Sequence, residues 1–198
     1  MVSDLLLVRH GETEWSANGR HTGLTDVPLT PNGVEEAISL APYFRDRRPD
    51  LVLTSPLRRA VVTAELAGLS GGRSRSRPVR VGLRRLRGRH HRRDPADPTV
   101  LVAVDRRGPA RRRGAPGESA DQVGARADRA LARVAPVLRA DGGGAVVVAH
   151  GHFLRVLTAR YLGLPPADGR LFLLRTGTVS VLSTEHGLPV IAGWNTHP

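Results

Sequence analysis

With 198 residues the chain has the length of one ordinary domain and can bury a full hydrophobic core; without cysteine it forms no disulfide, thiolate zinc site, iron–sulfur cluster or cysteine nucleophile. All 30 basic residues are arginine and the net charge is +12, but residues 73–113 hold 15 of those arginines against Asp94, Asp97 and Asp105, so the remainder is neutral. No apolar run approaches the roughly 20 residues of a membrane span, and Met1-Val2-Ser3-Asp4 lacks the basic and long apolar regions of a signal peptide, so a cytoplasmic protein is expected.

Asp4 to Val8 (DLLLV) has the look of a buried strand. Gly33 to Asp46 carries apolar groups at helical spacing behind Pro31-Asn32, and Asp50 to Thr54 (DLVLT) reads as a second strand. Pro56 to Leu69 returns to helical spacing, with Gly71-Gly72 as its breaker. Ser119 to Ala140 is an amphipathic helix opened by a Ser119/Gln122 capping box and closed by three glycines. Ala145 to Ala149 (AVVVA) is typical of a central parallel strand, and His152 to Leu162 is a further helix. Leu171 to Leu174, Val179 to Ser183 and Val190 to Ala192 read as strands near the C-terminus.

This alternation predicts an α/β fold: a three-layer α/β/α sandwich with a mostly parallel central sheet, residues about 73–113 being irregular or disordered. Ligands of such folds bind at the carboxyl ends of the strands. Arg9 and His10 directly follow the first strand, Arg58 and Arg59 come just after the second, and His150 directly follows AVVVA. Guanidinium groups bind phosphate by charge-assisted, bidentate hydrogen bonds. A neutral histidine among them can attack phosphorus and split one displacement into two. Like-charge repulsion from the arginines is expected to depress the imidazole pKa and keep His10 nucleophilic. Taken singly, a histidine at a strand end or an arginine pair on a helix is more often structural or solvated; the convergence of several carries the functional reading.

The run Arg9-His10-Gly11-Glu12-Thr13-Glu14-Trp15 resembles the signature of the histidine phosphatase (phosphoglycerate-mutase-like) superfamily. The likeness continues through Thr22-Gly23-Leu24-Thr25-Asp26-Val27-Pro28-Leu29-Thr30, Ser55-Pro56-Leu57-Arg58-Arg59-Ala60 and His150-Gly151-His152-Phe153-Leu154-Arg155, in the family's order. The resemblance implies that His10 is the phosphorylated nucleophile and that Arg9, Arg59 and His150 complete the phosphate pocket, Arg58 being the weaker choice. It places Ser16, Thr22 and Gly23 at substrate contacts. It also implies a metal-free mechanism with no cofactor and a small phosphorylated substrate, without membrane attachment. The stretch from Trp15 to Asp26 looks most like the acid phosphatase and sugar-bisphosphatase branch, with phosphoglycerate mutase as the alternative.

The resemblance spans residues 4–70 and 117–193 and fails between them. Family members carry an acidic proton donor, typically in a Glu-Trp-Asp-Tyr-Gly-x-Tyr-Glu-Gly motif, shortly after the second helix. Here no acid stands between Glu65 and Asp94, and the chain reads Arg80-Val81-Gly82-Leu83-Arg84-Arg85-Leu86-Arg87-Gly88. Codons for those nine residues, CGA GTG GGA CTA CGG CGA CTA CGA GGG C, advanced by one nucleotide become GAG TGG GAC TAC GGC GAC TAC GAG GGC. That spells Glu-Trp-Asp-Tyr-Gly-Asp-Tyr-Glu-Gly. The expected organisation is therefore a single domain over 1–198, interrupted at about 73–113 by an arginine-rich segment that reads as a shifted frame, with Val100 to Val104 (VLVAV) its one strand. Function is expected to be phosphomonoester hydrolysis through His10, impaired by the missing acid.

A reading of another class makes the segment a nucleic-acid-binding arm on a degenerate phosphatase scaffold. With no aromatic residue between 73 and 113 to stack on bases, nucleic-acid contact is expected to be incidental. His90-His91, and His150 with His152, lack the further convergent ligands that a zinc site needs.

Overall fold

The computed structural model describes residues 4–19, 25–69, 101–103, 118–140 and 143–198, the stretch 101–103 by its backbone alone. In chain order the elements are β1 (Leu5–Arg9), α1 (Glu14–Ala17), α2 (Pro31–Ser39), α3 (Ala41–Arg45), β2 (Leu51–Thr54), α4 (Arg58–Leu66), β3 (Leu101–Ala103), α5 (Ala120–Arg139), β4 (Ala145–Ala149), α6 (Gly151–Tyr161), β5 (Val179–Glu185) and β6 (Leu188–Thr196). They build one six-stranded sheet in the order β3-β2-β4-β1-β5-β6. The pairs β3/β2, β2/β4 and β4/β1 are parallel, whereas β1/β5 and β5/β6 are antiparallel.

Strand side chains alternate between the faces, which is why the buried runs of β1 and β4 serve two cores. Leu5, Leu7, Ala145 and Val147 meet Val123, Ala127 and Val134 of α5 and Leu154 and Leu157 of α6 on one face. Leu6, Val8, Val146 and Val148 meet Leu40 and Phe44 beside α2 and α3 and Ala60 and Ala64 of α4 on the other. The result is the expected α/β/α sandwich.

Several boundaries differ from expectation for local reasons. The helix expected over Gly33 to Asp46 is divided at Leu40 into α2 and α3, because Pro42 near the start of α3 has no N–H and its ring opposes the preceding turn. Helix α4 ends at Gly68 rather than at Gly71-Gly72: Gly68 has φ +76°, its N–H bonds Glu65 O at 3.1 Å and Leu69 N–H bonds Ala64 O at 2.8 Å, the two bonds of a Schellman cap. The capping box at Ser119 is present, with Gln122 N–H on Ser119 Oγ at 3.2 Å and Ser119 N–H on Gln122 Oε1 at 2.9 Å.

No strand forms at Leu171 to Leu174. That stretch follows a 3-10 helix over Pro166–Leu171, and its carbonyls are taken by side chains: Leu173 O accepts from Trp194 Nε1 at 2.6 Å and Asn195 Nδ2 at 2.7 Å, and Leu174 O accepts from Arg9. Within the arginine-rich segment, β3 lies inside the strand expected at Val100 to Val104. The remainder of 73–113 lies outside the described residues.

Candidate active site

The carboxyl ends of the adjacent parallel strands β2, β4 and β1 lie side by side, and the ladder runs one residue beyond them. His10 N–H donates to Ala149 O at 3.0 Å and Ser55 N–H to Val148 O at 2.9 Å. These bonds fix the residues after β1 and β2, and His150, which follows β4, meets both: its Nε2 lies 2.6 Å from Ser55 Oγ. The imidazoles of His10 and His150 meet edge to face, with centroids 5.1 Å apart.

Close backbone packing explains the glycine after His10. A Cβ on Gly11 would lie 2.1 Å from Gly33 O, and one on Gly33 would lie 2.1 Å from Glu12 O, so loop and helix α2 approach only because both residues are glycine. Gly11 N–H also bonds Thr63 Oγ1 on α4 at 3.0 Å.

The two histidines hold opposite tautomers. His10 Nδ1 is 2.8 Å from Gly11 O, and a carbonyl only accepts, so Nδ1 carries the proton and Nε2 keeps its lone pair. His150 Nδ1 accepts from Arg59 Nε at 3.2 Å, so its Nε2 carries the proton and donates to Ser55 Oγ at 2.6 Å.

Burial is the larger cause of the histidines' low pKa values; like charge adds to it. The pKa of His10, 3% exposed, is pushed down to about 3 by desolvation; its bond to Gly11 opposes this, and Arg59 and Arg9 push it further. His150 is lowered to about 2 by burial, then by His10, Arg59, Arg126 and Arg9. Both imidazoles are neutral at physiological pH.

Arg59 is 1% exposed and its Nη1 donates to Thr25 O at 2.8 Å. Its neighbour Arg58 is exposed and contributes its backbone N–H to Asp26 Oδ1 at 2.8 Å, so the second arginine of the pair is the one turned inward. Arg9 donates through Nη1 to Leu174 O, while its buried Nε has no hydrogen-bond partner among the described residues. Burial lowers the pKa of both guanidiniums, countered by Glu36 at Arg9 and by Asp26 at Arg59. Gly151 lets the chain pass Arg9, since a Cβ there would stand 3.2 Å from its Nε.

Arg9, His10, Arg59 and His150 are thus brought together. The hydroxyl of Ser16 is engaged in the cap of α1, accepting from Thr13 N–H at 2.8 Å and donating to Thr13 O at 2.9 Å. Thr22 and Gly23 lie outside the described residues, as do His90 and His91. Among the described residues no group of three or more His, Asp or Glu is arranged to hold a metal, and no helix is long and apolar enough to cross a membrane. Sequence reasoning gave no role to Ser55 and Asp26, although each stands in a quoted motif, nor to Thr63 and Glu36. The last three act on the site through folds of chain distant in sequence.

Chemically, the arrangement presents a neutral imidazole with a free Nε2 beside two buried guanidiniums, a combination suited to accepting a phosphoryl group. Residues 5–197 match the histidine phosphatase superfamily (branch 1). An acid phosphatase of Mycobacterium tuberculosis is 35% identical over 205 residues, covering 98% of this chain and 94% of that protein. A probable phosphoglycerate mutase of Shigella boydii is 30% identical over 199 residues, 95% of this chain and 88% of that one. The solved structure of an open reading frame product from Mycobacterium tuberculosis superposes with a TM-score of 0.70 at 32% identity, covering 98% of both chains. The chain belongs to the histidine phosphatase superfamily, and it is an enzyme of that class.

Proposed function

We propose that the chain hydrolyses small phosphomonoesters through a phosphohistidine on His10. The observation that carries this is the Gly11 carbonyl on His10 Nδ1, which leaves Nε2 unprotonated and directed away from its own backbone. Nε2 attacks phosphorus, forming the N–P bond as the ester P–O bond breaks, and the leaving oxygen takes a proton from solvent water. Water then attacks the phosphoimidazole, the N–P bond breaks and inorganic phosphate leaves with the neutral imidazole restored. Arg9 and Arg59 hold the equatorial oxygens where charge gathers, and His150 stands against the same oxygens. Ser16, Thr22 and Gly23 contact the remainder of the substrate in this reading.

The leaving oxygen lacks a partner in the sequence as written. We read 1–198 as one domain interrupted at about 73–113 by a shifted frame that has removed the proton donor. General-acid assistance is commonly worth about 10² to 10⁴ in rate, so esters of alcohols suffer and esters of acidic phenols, whose oxygen leaves without a proton, do not. His10→Ala is expected to abolish an acid-labile phosphoenzyme trapped with labelled substrate; normal labelling of that variant would sink the proposal. Phosphoglycerate mutation is the second reading, favoured by the relative named as a mutase. It requires dependence on 2,3-bisphosphoglycerate, which a coupled assay detects.

A further inference from the structure

We propose that Glu36 is the positioning residue and counter-charge of the phosphate pocket: its carboxylate clasps the loop after His10 to the loop before β5 that holds Arg9, and its charge limits how tightly phosphate is held. The inference rests on the reading of Arg9 and His10 as that pocket.

Glu36 lies on α2, outside every motif that suggested the site. Its Oε2 accepts from Glu12 N–H at 2.7 Å, in the loop just after His10. Its Oε1 accepts from Thr176 Oγ1 at 3.1 Å, in the loop that precedes β5. That second loop supports Arg9 on both sides, because Leu174 O accepts from the guanidinium and Gly177 N–H donates to Arg9 O at 3.2 Å. One side chain therefore ties together the chain on either side of the phosphate-binding arginine.

The space around the carboxylate is reserved for it. Gly177 has φ +59°, and a Cβ there would stand 2.5 Å from Glu36 Cβ and 3.0 Å from its Oε2. Glu36 also opposes the cost of burying the Arg9 charge, the role that Asp26 plays for Arg59. A carboxylate tied to the loop after His10 and to the loop that holds Arg9 weakens the field that an incoming phosphate dianion meets, and the same field governs release of product phosphate.

Clasp and charge separate experimentally. In Glu36→Gln the amide oxygen accepts from Glu12 N–H, and the amide NH₂ donates to Thr176 Oγ1 once that hydroxyl turns to accept. The links persist and the charge is gone. Glu36→Ala loses both, and Thr176→Val loses one link with the charge intact.

The test measures inhibition by inorganic phosphate, together with kcat and KM for p-nitrophenyl phosphate, in the full-length chain and the three variants. Glu36→Gln is expected to lower the phosphate inhibition constant and KM together by about five- to tenfold, with kcat changed less than twofold. Thr176→Val is expected to leave phosphate inhibition unchanged and lower kcat several-fold. Glu36→Ala is expected to fall at least tenfold below Glu36→Gln in kcat. An unchanged inhibition constant in Glu36→Gln, or equal kcat in Glu36→Gln and Glu36→Ala, overturns the role of Glu36 while the pocket stands. Absence of phosphate inhibition in the unsubstituted chain overturns the pocket itself and Glu36 with it.

Discussion

Half of the thirty arginines stand in the 41 residues from 73 to 113, yet the two of the proposed phosphate pocket, Arg9 and Arg59, stand outside it. Arg59 is almost wholly buried, with one nitrogen on His150 and another on a backbone carbonyl, and Asp26 offsets its burial. Arg9 has a carbonyl partner and a buried Nε left for a ligand, with Glu36 as its counter-charge. In the arginine-rich stretch the sequence supplies number, with three acids for 15 arginines and no aromatic residue. An arginine becomes part of a site through a strand end, a fixed fork and a nearby acid; density alone gives only charge.

The largest expected effect tests the contrast directly. Replacing Arg80 to Gly88 by the Glu-Trp-Asp-Tyr-Gly-Asp-Tyr-Glu-Gly run that the proposed frame shift would restore is expected to raise kcat/KM for an alkyl phosphate by about 10² to 10⁴ while changing p-nitrophenyl phosphate hydrolysis far less. An equal gain on both esters would mean that the segment contributes something other than a proton donor.

Next in size is the exchange of arginines between the two regions. Arg59→Ala is expected to cost about 10² to 10³ in kcat/KM, the scale of losing an aligned donor to developing negative charge. The pair Arg84→Ala and Arg85→Ala is expected to stay within a factor of two. A large loss from the second pair would place the arginine-rich segment in the pocket after all.

The low histidine pKa values link the pocket to stability. His10 is neutral in the folded state down to about pH 3, whereas in the unfolded chain it binds a proton below the ordinary imidazole pKa of 6.5. The unfolded state therefore gains protons as pH falls below that value, and stability is lost progressively from pH 6.5 toward pH 3. At about 1.4 kcal/mol per pH unit, His10 contributes a loss of about 3 kcal/mol by pH 4.5. Denaturant midpoints of the chain and of His10→Gln, measured from pH 7 to 4.5, are expected to converge as pH falls; parallel curves would contradict a buried neutral imidazole.

Much of this was legible in the sequence because the signals were local. The apolar runs gave β1, β2 and β4, and the residue after each strand end gave His10 and His150. The misplaced features depended on partners that no window contains. Leu171 to Leu174 has strand-like composition, but its carbonyls are claimed by Arg9, Trp194 and Asn195 from far along the chain. Glu36 stands in no quoted motif and Asp26 stands in one without a stated role, and their parts emerge only when α2 and the loop after Thr25 are folded against the sheet edge. The preference for Arg59 over Arg58 came from the resemblance, and burial gives it a physical reason, since Arg59 is buried and Arg58 exposed.

The smallest effect sharpens the site from within. Ser55 accepts the proton-bearing Nε2 of His150, and this bond, with Arg59 on Nδ1, holds the ring in one tautomer and one orientation. Ser55→Ala leaves the fold's cores untouched but frees the imidazole to rotate or to exchange its proton between nitrogens. Losing one such hydrogen bond is worth about 0.5 to 1.5 kcal/mol, so kcat is expected to fall by up to about tenfold while the melting temperature moves little. Ser55→Thr keeps the hydroxyl and is expected to recover most of the rate. Equal loss in both variants would mean that the site needs the small side chain at the end of β2 rather than its hydrogen bond, and His150 would then owe its orientation to Arg59 alone.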